Sequence, residues 1–306
     1  MLAEVSLHGK NTDLTRLHRA TWYLRPVSGL AVLLALGSSA AWGIADFSGG
    51  LASRRLPTLS VTAVSQSAGF VALLAALAVN GGRLDGRSFS LGLLAGVGGG
   101  AGLAAFYQAL SVGTMSVVSP LVACGALVPF TISLATGERP STVSLAAAAV
   151  ALAGAVVASL EERRAPAPER AHAVALAVVA AAAFGVFFYF LGLGSREGSA
   201  LSTLVGARVG SLTLLVSLAL ARGAPLVLRR RSLVVVAAIG LCDVAANALF
   251  ALASGHGLLA LVSVLGSLYP VMTVVLAHLM LGERLTPTQL GGVALALAGV
   301  AVLSVG

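Results

Sequence analysis

The sequence carries TGERPSTVSLAAAAVALAG at residues 136–154 and LGERLTPTQLGGVALALAG at residues 281–299. In each segment a Gly-Glu-Arg triplet follows one apolar run and precedes another, and an Ala-Leu-Ala-Gly sequence lies at the same distance downstream. Slightly upstream, Ala109, Gly113 and Ser119 have counterparts in Ala253, Gly257 and Ser263. These shared spacings predict two consecutive units of similar structure.

The composition predicts that both units lie in a lipid bilayer. Hydrophobic residues make up 58% of the 306 residues, charged residues only 10%, and the mean hydropathy is +0.98. A soluble domain carries about a quarter of its residues as charged ones, and a helix of about 20 apolar residues spans the hydrocarbon core. We therefore predict an all-α membrane protein with ten transmembrane helices, at 28–50, 58–79, 89–111, 115–136, 142–159, 172–194, 199–220, 232–254, 258–280 and 286–305.

The ten predicted helices divide into two units of five. We expect a polar, basic N-terminal tail at 1–27, a first five-helix repeat at 28–160, a connecting loop at 161–171 and a second five-helix repeat at 172–306. Because five is odd, the second unit enters the membrane from the opposite side, which makes an inverted repeat. Inverted repeats are typical of secondary transporters, whose substrate sites lie near the membrane midplane between the halves.

The first apolar run has a second possible interpretation, as a signal peptide. Its segment Gly37-Ser38-Ser39-Ala40-Ala41 resembles a signal-peptidase site. The run continues to Phe47, however, which is long for the apolar region of a signal peptide. Because the repeat also needs this run as its first helix, we interpret it as a transmembrane helix.

The charge and motif patterns argue against several classes of function. The formal charge is +8, but the arginines lie in short clusters between apolar runs, which favours contact with lipid headgroups over nucleic acid. Cys124 and Cys242 lie in apolar runs without CxxC spacing or clustered His, so neither a disulfide framework nor a metal site is expected. Gly-x-Ser-x-Gly, His-Glu-x-x-His and Walker motifs do not occur. The sequence therefore predicts that the protein is not an enzyme and binds no cofactor. Any coupled transport is expected to draw its energy from a proton or ion gradient.

Glycines at four-residue spacing are concentrated in the third predicted helix, which holds Gly92, Gly96, Gly98, Gly99, Gly100 and Gly102. Gly206 and Gly210 form a further pair in the seventh. Small residues allow close helix contact in membranes, where lipid gives no hydrophobic drive to pack. The glycines fit static packing, which we favour, or a surface along which helices slide.

All but three of the 30 charged side chains fall in predicted tails, loops or helix ends, and the exceptions are Asp46, Arg208 and Asp243. A charge at mid-span costs roughly 2.5–3.5 kcal/mol on insertion scales, so such residues usually face a cavity or pair with one another. Arg208 and Asp243 lie at similar depth on consecutive helices, which predicts an ion pair. Either this pair binds a substrate carboxylate or phosphate and moves a proton, or it is a structural lock. Asp46 is nearer a helix end and about two turns from Arg54 and Arg55, so we favour an interfacial place over a role in transport.

Uncharged polar and aromatic residues within the predicted helices form a second group of candidates for solute binding: Trp42, Tyr107, Gln108, Asn247 and Tyr269, with Gln66 and Phe106 beside them. Each can hydrogen-bond or stack on a solute, although a single polar group in a membrane helix is commonly satisfied by a neighbouring helix. Glu138 and Glu283 occupy matching places in the two repeats, and we interpret them as structural caps of loop turns.

The repeated Gly-Glu-Arg triplet, the Ala-Gly-rich helix after it and Trp42-Gly43 together resemble the EamA family of the drug/metabolite transporter superfamily. The resemblance covers about residues 30–305. It implies a ten-helix transporter with both termini in the cytoplasm and a central cavity lined by both halves. Tyr269-Pro270 matches the family pattern of the ninth helix, whereas Pro129 of the fourth lies a turn later than its expected place. Members of the family move amino acids, metabolites, drugs or nucleotide conjugates.

We therefore expect a secondary transporter in the cytoplasmic membrane that exports small organic solutes by alternating access, with membrane lipids as its surroundings. The candidate solute-binding residues are Trp42, Asp46, Tyr107, Gln108, Arg208, Asp243, Asn247 and Tyr269. The alternatives are a carrier for metabolite uptake or exchange, and a membrane scaffold or lipid-handling protein that transports nothing. Counting Lys and Arg in the loops does not by itself favour cytoplasmic termini. The sequence does not specify the substrate or the oligomeric state.

Overall fold

The chain is helical throughout the part that the structure describes. A computed structural model describes residues 28–112, 118, 122–158, 167–225, 228–281 and 286–305, and this part contains no strand. The helices are α1 (Gly29–Ser53), α2 (Thr58–Val79), α3 (Gly86–Val112), α4 (Leu127–Ala135), α5 (Thr142–Ala158), α6 (Ala167–Glu197), α7 (Ala200–Ala221), α8 (Arg230–His256), α9 (Leu259–Gly266), α10 (Tyr269–Leu281) and α11 (Pro287–Val305). The predicted tail, residues 161–166 of the predicted loop and the second Gly-Glu-Arg triplet lie outside the described residues.

The helices follow the predicted apolar runs with three differences. Residues 167–171 of the predicted loop belong to α6. A 3₁₀ turn, Cys124–Ala126, precedes α4 in the fourth run, and the ninth run is divided into α9 and α10 at Ser267-Leu268. The second break places Pro270 in the first turn of α10, where its missing N–H breaks no helical hydrogen bond.

Among the described residues, six helices are long and apolar enough to cross a membrane: α1, α2, α3, α6 from Ala171, α7 and α8. Shorter apolar helices occupy the fourth, fifth, ninth and tenth predicted runs. Large apolar side chains cover the outside, and Leu33, Leu220 and Leu279 are each at least 70% exposed. Contiguous apolar surface of this kind is rare on soluble proteins and fits the acyl chains of lipids.

The most extensive helix contacts join the two halves, α1–α5 and α6–α11. Helix α3 packs along both α6 and α7, α5 packs along α11, and α1 packs along α8. Helix α2 lies against α7 and α8. The two halves therefore form one interlocked bundle, and the space between them is enclosed by helices from both.

Glycines bring the backbones of α3 and α7 into direct contact. A Cβ on Gly96 would lie 2.7 Å from the carbonyl carbon of Ala207 and 2.8 Å from the backbone nitrogen of Ser211. Conversely, a Cβ on Gly210 would lie 3.2 Å from the Cα of Gly96. Because these neighbours are backbone atoms, no side chain can rotate away to make room. The glycine pattern of the third predicted helix thus serves close packing in this structure.

Gly96→Ala is expected to destabilise the protein by about 1–3 kcal/mol, the usual cost of forcing extra volume into a packed interior. The reason is that α3 and α7 must separate to accommodate the methyl group. The measurement is the free energy of unfolding in mixed micelles with increasing SDS. Gly291→Ala is the matched control, because a Cβ on Gly291 of α11 meets nothing within 4 Å. Equal stability of the two variants would contradict the packing argument.

Glu138 of the first Gly-Glu-Arg triplet connects the first half to the second. Gly137 has a φ of +112°, and the Glu138 N–H donates to the Ser133 carbonyl at 2.9 Å, which closes the end of α4. The Glu138 side chain is buried, and its two carboxylate oxygens accept from the N–H groups of Leu259 and Ala260, each at 3.0 Å. Arg196 at the end of α6 forms an ion pair with the same carboxylate. Glu138 therefore caps α9, a helix of the other half.

Candidate solute-binding cavity

A cavity lies between the two halves and is lined by side chains of both. Helices α1, α2 and α3 of the first half contribute to its wall, as do α6, α7, α8 and α10 of the second. Six of the eight predicted binding residues line it: Trp42, Asp46, Arg208, Asp243, Asn247 and Tyr269. The volume of the cavity that the centre of a water molecule can occupy is about 40 Å³. This volume holds roughly three water molecules. An organic solute would need a wider arrangement of the same walls.

The predicted ion pair between α7 and α8 is confirmed. A terminal nitrogen of Arg208 lies 2.7 Å from Oδ2 of Asp243. Both side chains are largely buried, with 7% and 13% of their surface exposed. A buried charge is costly without a partner. Each of these two residues therefore offsets the cost of burying the charge of the other.

Polar side chains from three helices complete the surroundings of the pair. The second terminal nitrogen of Arg208 donates to Oε1 of Gln66 on α2, and the Ser211 hydroxyl donates to the same oxygen at 3.0 Å. Oδ2 of Asp243 accepts further bonds from Gln66 Nε2 and Asn247 Nδ2, both at 3.2 Å. Each terminal nitrogen of Arg208 therefore makes one bond to a protein group, so a solute carboxylate or phosphate would compete with Gln66 and Asp243 for the guanidinium.

Asp46 of α1 is buried inside the protein. It is 8% exposed and lines the cavity together with the ion pair. Among the described residues, no side chain or backbone group donates a hydrogen bond to its carboxylate. Asp46 is therefore a carboxylate of the cavity for which the described part of the chain supplies no hydrogen-bond donor, and its depth relative to the membrane interface stays a prediction.

The apolar wall of the cavity is aromatic. Trp42 packs against Phe187 and Phe188 of α6 with ring centroids 6.5 Å and 5.2 Å away, and against Phe250 of α8 at 5.5 Å. Phe184 stacks on Phe188 at 6.2 Å. Aromatic side chains of this kind supply large apolar contact area and π faces to a ligand. The wall thus combines first-half and second-half residues.

Tyr107 and Gln108 are not among the described residues that line this cavity. Tyr107 is buried beside α1, where its hydroxyl donates to the Ala45 carbonyl at 3.4 Å and would collide with any side chain on Gly49. Gln108 lies in a separate groove that also includes Arg222. Because neighbouring residues on a helix point about 100° apart, the two side chains leave α3 in different directions.

Sequence reasoning gave too little weight to Gln66 and missed Phe184, Phe187 and Phe188. Gln66 contacts Arg208, Asp243 and Ser211 and so holds α2 to α7 and α8. An amide carries no charge, so hydropathy gave it no special weight. The three phenylalanines follow the spacing i, i+3 and i+4, which places them on one face of a helix. This spacing could have indicated from the sequence that the three phenylalanines share one face of the helix.

A charged cavity enclosed between two repeated helical halves, beneath an apolar outer surface, is the architecture of a multi-pass membrane transport protein. The sequence model of the EamA-like transporter family matches residues 29–160 and again residues 171–305. The chain therefore belongs to the EamA-like transporter family, which confirms the resemblance seen in the sequence. It is a membrane transporter of small solutes.

The fold is shared with solved structures. A crystal structure of a protein superposes with a TM-score of 0.70 at 20% sequence identity, over 90% of this chain and 97% of its own. At this identity the likeness shows the fold alone. No curated protein matches the sequence.

Proposed function

We propose that this protein is a secondary transporter that exports small organic solutes, such as metabolites, amino acids or drug-like compounds, across the cytoplasmic membrane by alternating access. The same proposal includes ten membrane-spanning helices in two inverted repeats of five, 28–160 and 172–306, and cytoplasmic termini. Six long apolar helices and four shorter ones at the remaining predicted positions support this count.

The observation that carries the proposal is the cavity between the halves, which is lined by Asp46, Arg208 and Asp243. These three residues belong to α1, α7 and α8, which are long and apolar enough to cross a membrane. Ionisable groups in membrane helices are costly and mark solute or ion pathways in many membrane proteins. A scaffold needs neither the aromatic wall nor a carboxylate without a protein partner. We assign solute binding to Trp42, Asp46, Asn247 and Tyr269, with Arg208 and Asp243 as charged residues of the same wall.

The narrowness of the cavity supports a cycle with at least two states. Room for about three waters is too little for an organic solute, so solute binding would require the walls to move apart. The interlocked helices of the two halves can produce this by rocking against each other, which is a known route to alternating access. A gradient of protons or another ion would drive the cycle, with Asp46 or Asp243 as the proton-accepting group.

A ligand panel tests the proposal. Amino acids, nucleosides, organic cations and organic acids are added to the purified protein, and the thermal midpoint is measured. A solute present at 100 times its Kd stabilises the native state by about 2.7 kcal/mol, so a binding solute is expected to raise the midpoint by several degrees. Trp42→Ala is expected to lose this shift, because the indole is part of the cavity wall.

The matched control is Val71→Ala, since Val71 lies on the outer surface and is 65% exposed. This variant should keep the full shift. Solute flux in proteoliposomes of known orientation then distinguishes export from uptake or exchange. A panel without any stabilising solute, together with no flux, would support the scaffold or lipid-handling alternative.

A further inference from the structure

The side chains that donate hydrogen bonds around the ion pair each make at least one bond to another protein group. Both terminal nitrogens of Arg208 donate, one to Gln66 and one to Asp243. The Gln66 amide donates to Asp243 at 3.2 Å, and the Ser211 hydroxyl donates to Gln66 at 3.0 Å. Asn247 Nδ2 donates to the backbone carbonyl of Asp243 at 2.8 Å and to its Oδ2 at 3.2 Å. Arg208 and Gln66 keep further N–H groups, but an anion would have to compete with Asp243 for the guanidinium of Arg208.

The acceptors of the cavity are open by comparison. The Asp46 carboxylate accepts no bond from the part of the chain that the structure describes. Oδ1 of Asn247 is buried and has no partner among the described residues, and the same holds for the Tyr269 hydroxyl. The orientation of the Asn247 amide follows from its other bonds, since only the Nδ2 group can donate to a backbone carbonyl. The Asp46 carboxylate and Oδ1 of Asn247 can only accept, whereas the Tyr269 hydroxyl can accept or donate. Two of these three groups therefore favour a ligand that donates hydrogen bonds.

The formal charge of the cavity favours a positively charged ligand. Asp46 and Asp243 contribute two negative charges and Arg208 one positive charge, and the ion pair cancels Asp243 against Arg208. For the remaining carboxylate, that of Asp46, the described residues form no ion pair. In a low-dielectric environment an isolated carboxylate is costly and is stabilised strongly by a cation brought next to it.

The aromatic wall lies next to this carboxylate. Trp42 and Asp46 are four residues apart on α1, which places them on the same face of the helix. Phe184, Phe187 and Phe188 extend the aromatic surface from α6. An aromatic face attracts a cation within about 6 Å of the ring centroid, so the wall and the carboxylate favour the same ligand charge.

We propose that the transported solute is an organic monocation with an apolar, preferably aromatic, body, and that Asp46 is its counter-charge. The ammonium group binds between Asp46 and Asn247 in the wider state of the cavity, and the apolar body lies against Trp42 and the phenylalanines of α6. This inference rests on the proposed transport function and names the chemical class that the same site selects.

The experiment compares three probes of nearly equal size: phenethylammonium, neutral 2-phenylethanol and anionic 3-phenylpropionate. Their binding to the purified protein is measured by thermal shift and by isothermal titration. Phenethylammonium is expected to bind clearly more tightly than the other two. For Asp46→Asn its Kd is expected to rise by roughly 30-fold or more, because truncating one partner of a buried charge pair costs at least about 2 kcal/mol.

Asp85→Asn is the matched control for the loss of a carboxylate. Asp85 lies outside the membrane-spanning segments, where its Oδ2 accepts the Ser88 N–H at 2.7 Å, and hydrogen bonding with Ser88 lowers its pKa. This variant should bind phenethylammonium as the native protein does. The comparison of the three probes uses the native protein, so it tests the inference even if Asp46→Asn fails to fold.

Three results would overturn the inference: equal or tighter binding of 2-phenylethanol or 3-phenylpropionate, unchanged phenethylammonium affinity in Asp46→Asn, or no binding of any of the three probes. Flux of labelled probes into proteoliposomes separates this inference from the proposed function. Flux of 3-phenylpropionate without phenethylammonium flux would retain the transporter and overturn the cation preference. Specific binding of phenethylammonium, with no flux of any probe or panel solute, would support the site and contradict transport.

Discussion

Arg208→Ala is expected to lower the free energy of unfolding by about 3–5 kcal/mol, the cost of removing one partner of a buried ion pair. The substitution leaves Asp243 buried without its counter-charge and removes the donor to Gln66. It also makes the cavity more negative, because two uncompensated carboxylates then remain. Unfolding in SDS mixed micelles measures the stability loss, and proteoliposome flux is expected to be lost in parallel.

The double variant Arg208→Gln with Asp243→Asn is expected to recover most of this stability, because neither member of the ion pair is then left as a buried charge without its partner. The Asp46 carboxylate remains, so cation binding should return in part as well. Arg87→Ala is the matched control, since it breaks an ion pair to Glu197 in which Arg87 is 65% exposed, and exposed pairs contribute about 0–1 kcal/mol. A double variant as unstable as Arg208→Ala would show that the lost contacts matter more than the lost charge.

Glu138→Ala is expected to destabilise the protein by about 3 kcal/mol or more. It removes the acceptor of two backbone N–H groups at the start of α9 and leaves the guanidinium of Arg196, only 13% exposed, without its partner. The carboxylate also interacts favourably with the positive end of the helix dipole. The measurement is again SDS unfolding, with detection in the second half by the fluorescence of a dye on a cysteine engineered into α9.

Glu138→Gln should lose less, about 1–2 kcal/mol, because the amide oxygen can still accept from one N–H group. Glu197→Ala is the control, since it removes a glutamate from the exposed pair with Arg87. If Glu138→Ala were as stable as this control, the capping of α9 would contribute nothing to the fold.

The helices were predictable because the bilayer allows little else. Inside lipid each backbone N–H and C=O must be satisfied within its own segment, so an apolar run of sufficient length becomes a helix. The break between α9 and α10 was less predictable, since Pro270 indicates where a helix can start but not that the preceding turn ends at Ser267. Glu138 was interpreted as a cap of its own loop, whereas it caps a helix 121 residues away, a contact that only the packing of the halves creates.

The site was predictable where charge was the signal. Asp46, Arg208 and Asp243 were identified as charges within apolar helices, and all three line the cavity. Tyr107 and Gln108 are adjacent in sequence, and neither lines it, because the rotation of α3 about its axis is set by its glycines packing against α7. Hydropathy gives the depth of a residue in the membrane but not the direction in which its side chain points.

The interlocking of the halves has a consequence for biosynthesis. The ribosome delivers α1–α5 to the membrane before α6 exists, yet α3 finds its main packing partners in α6 and α7, and α5 finds its partner in α11. Until then the glycine-rich face of α3 has only lipid or the translocon against it, and Glu138 has no helix end to cap. We therefore expect the helices of the first half to associate only loosely in the bilayer at first. The packed structure of the transporter is expected to form only after α11 has been inserted.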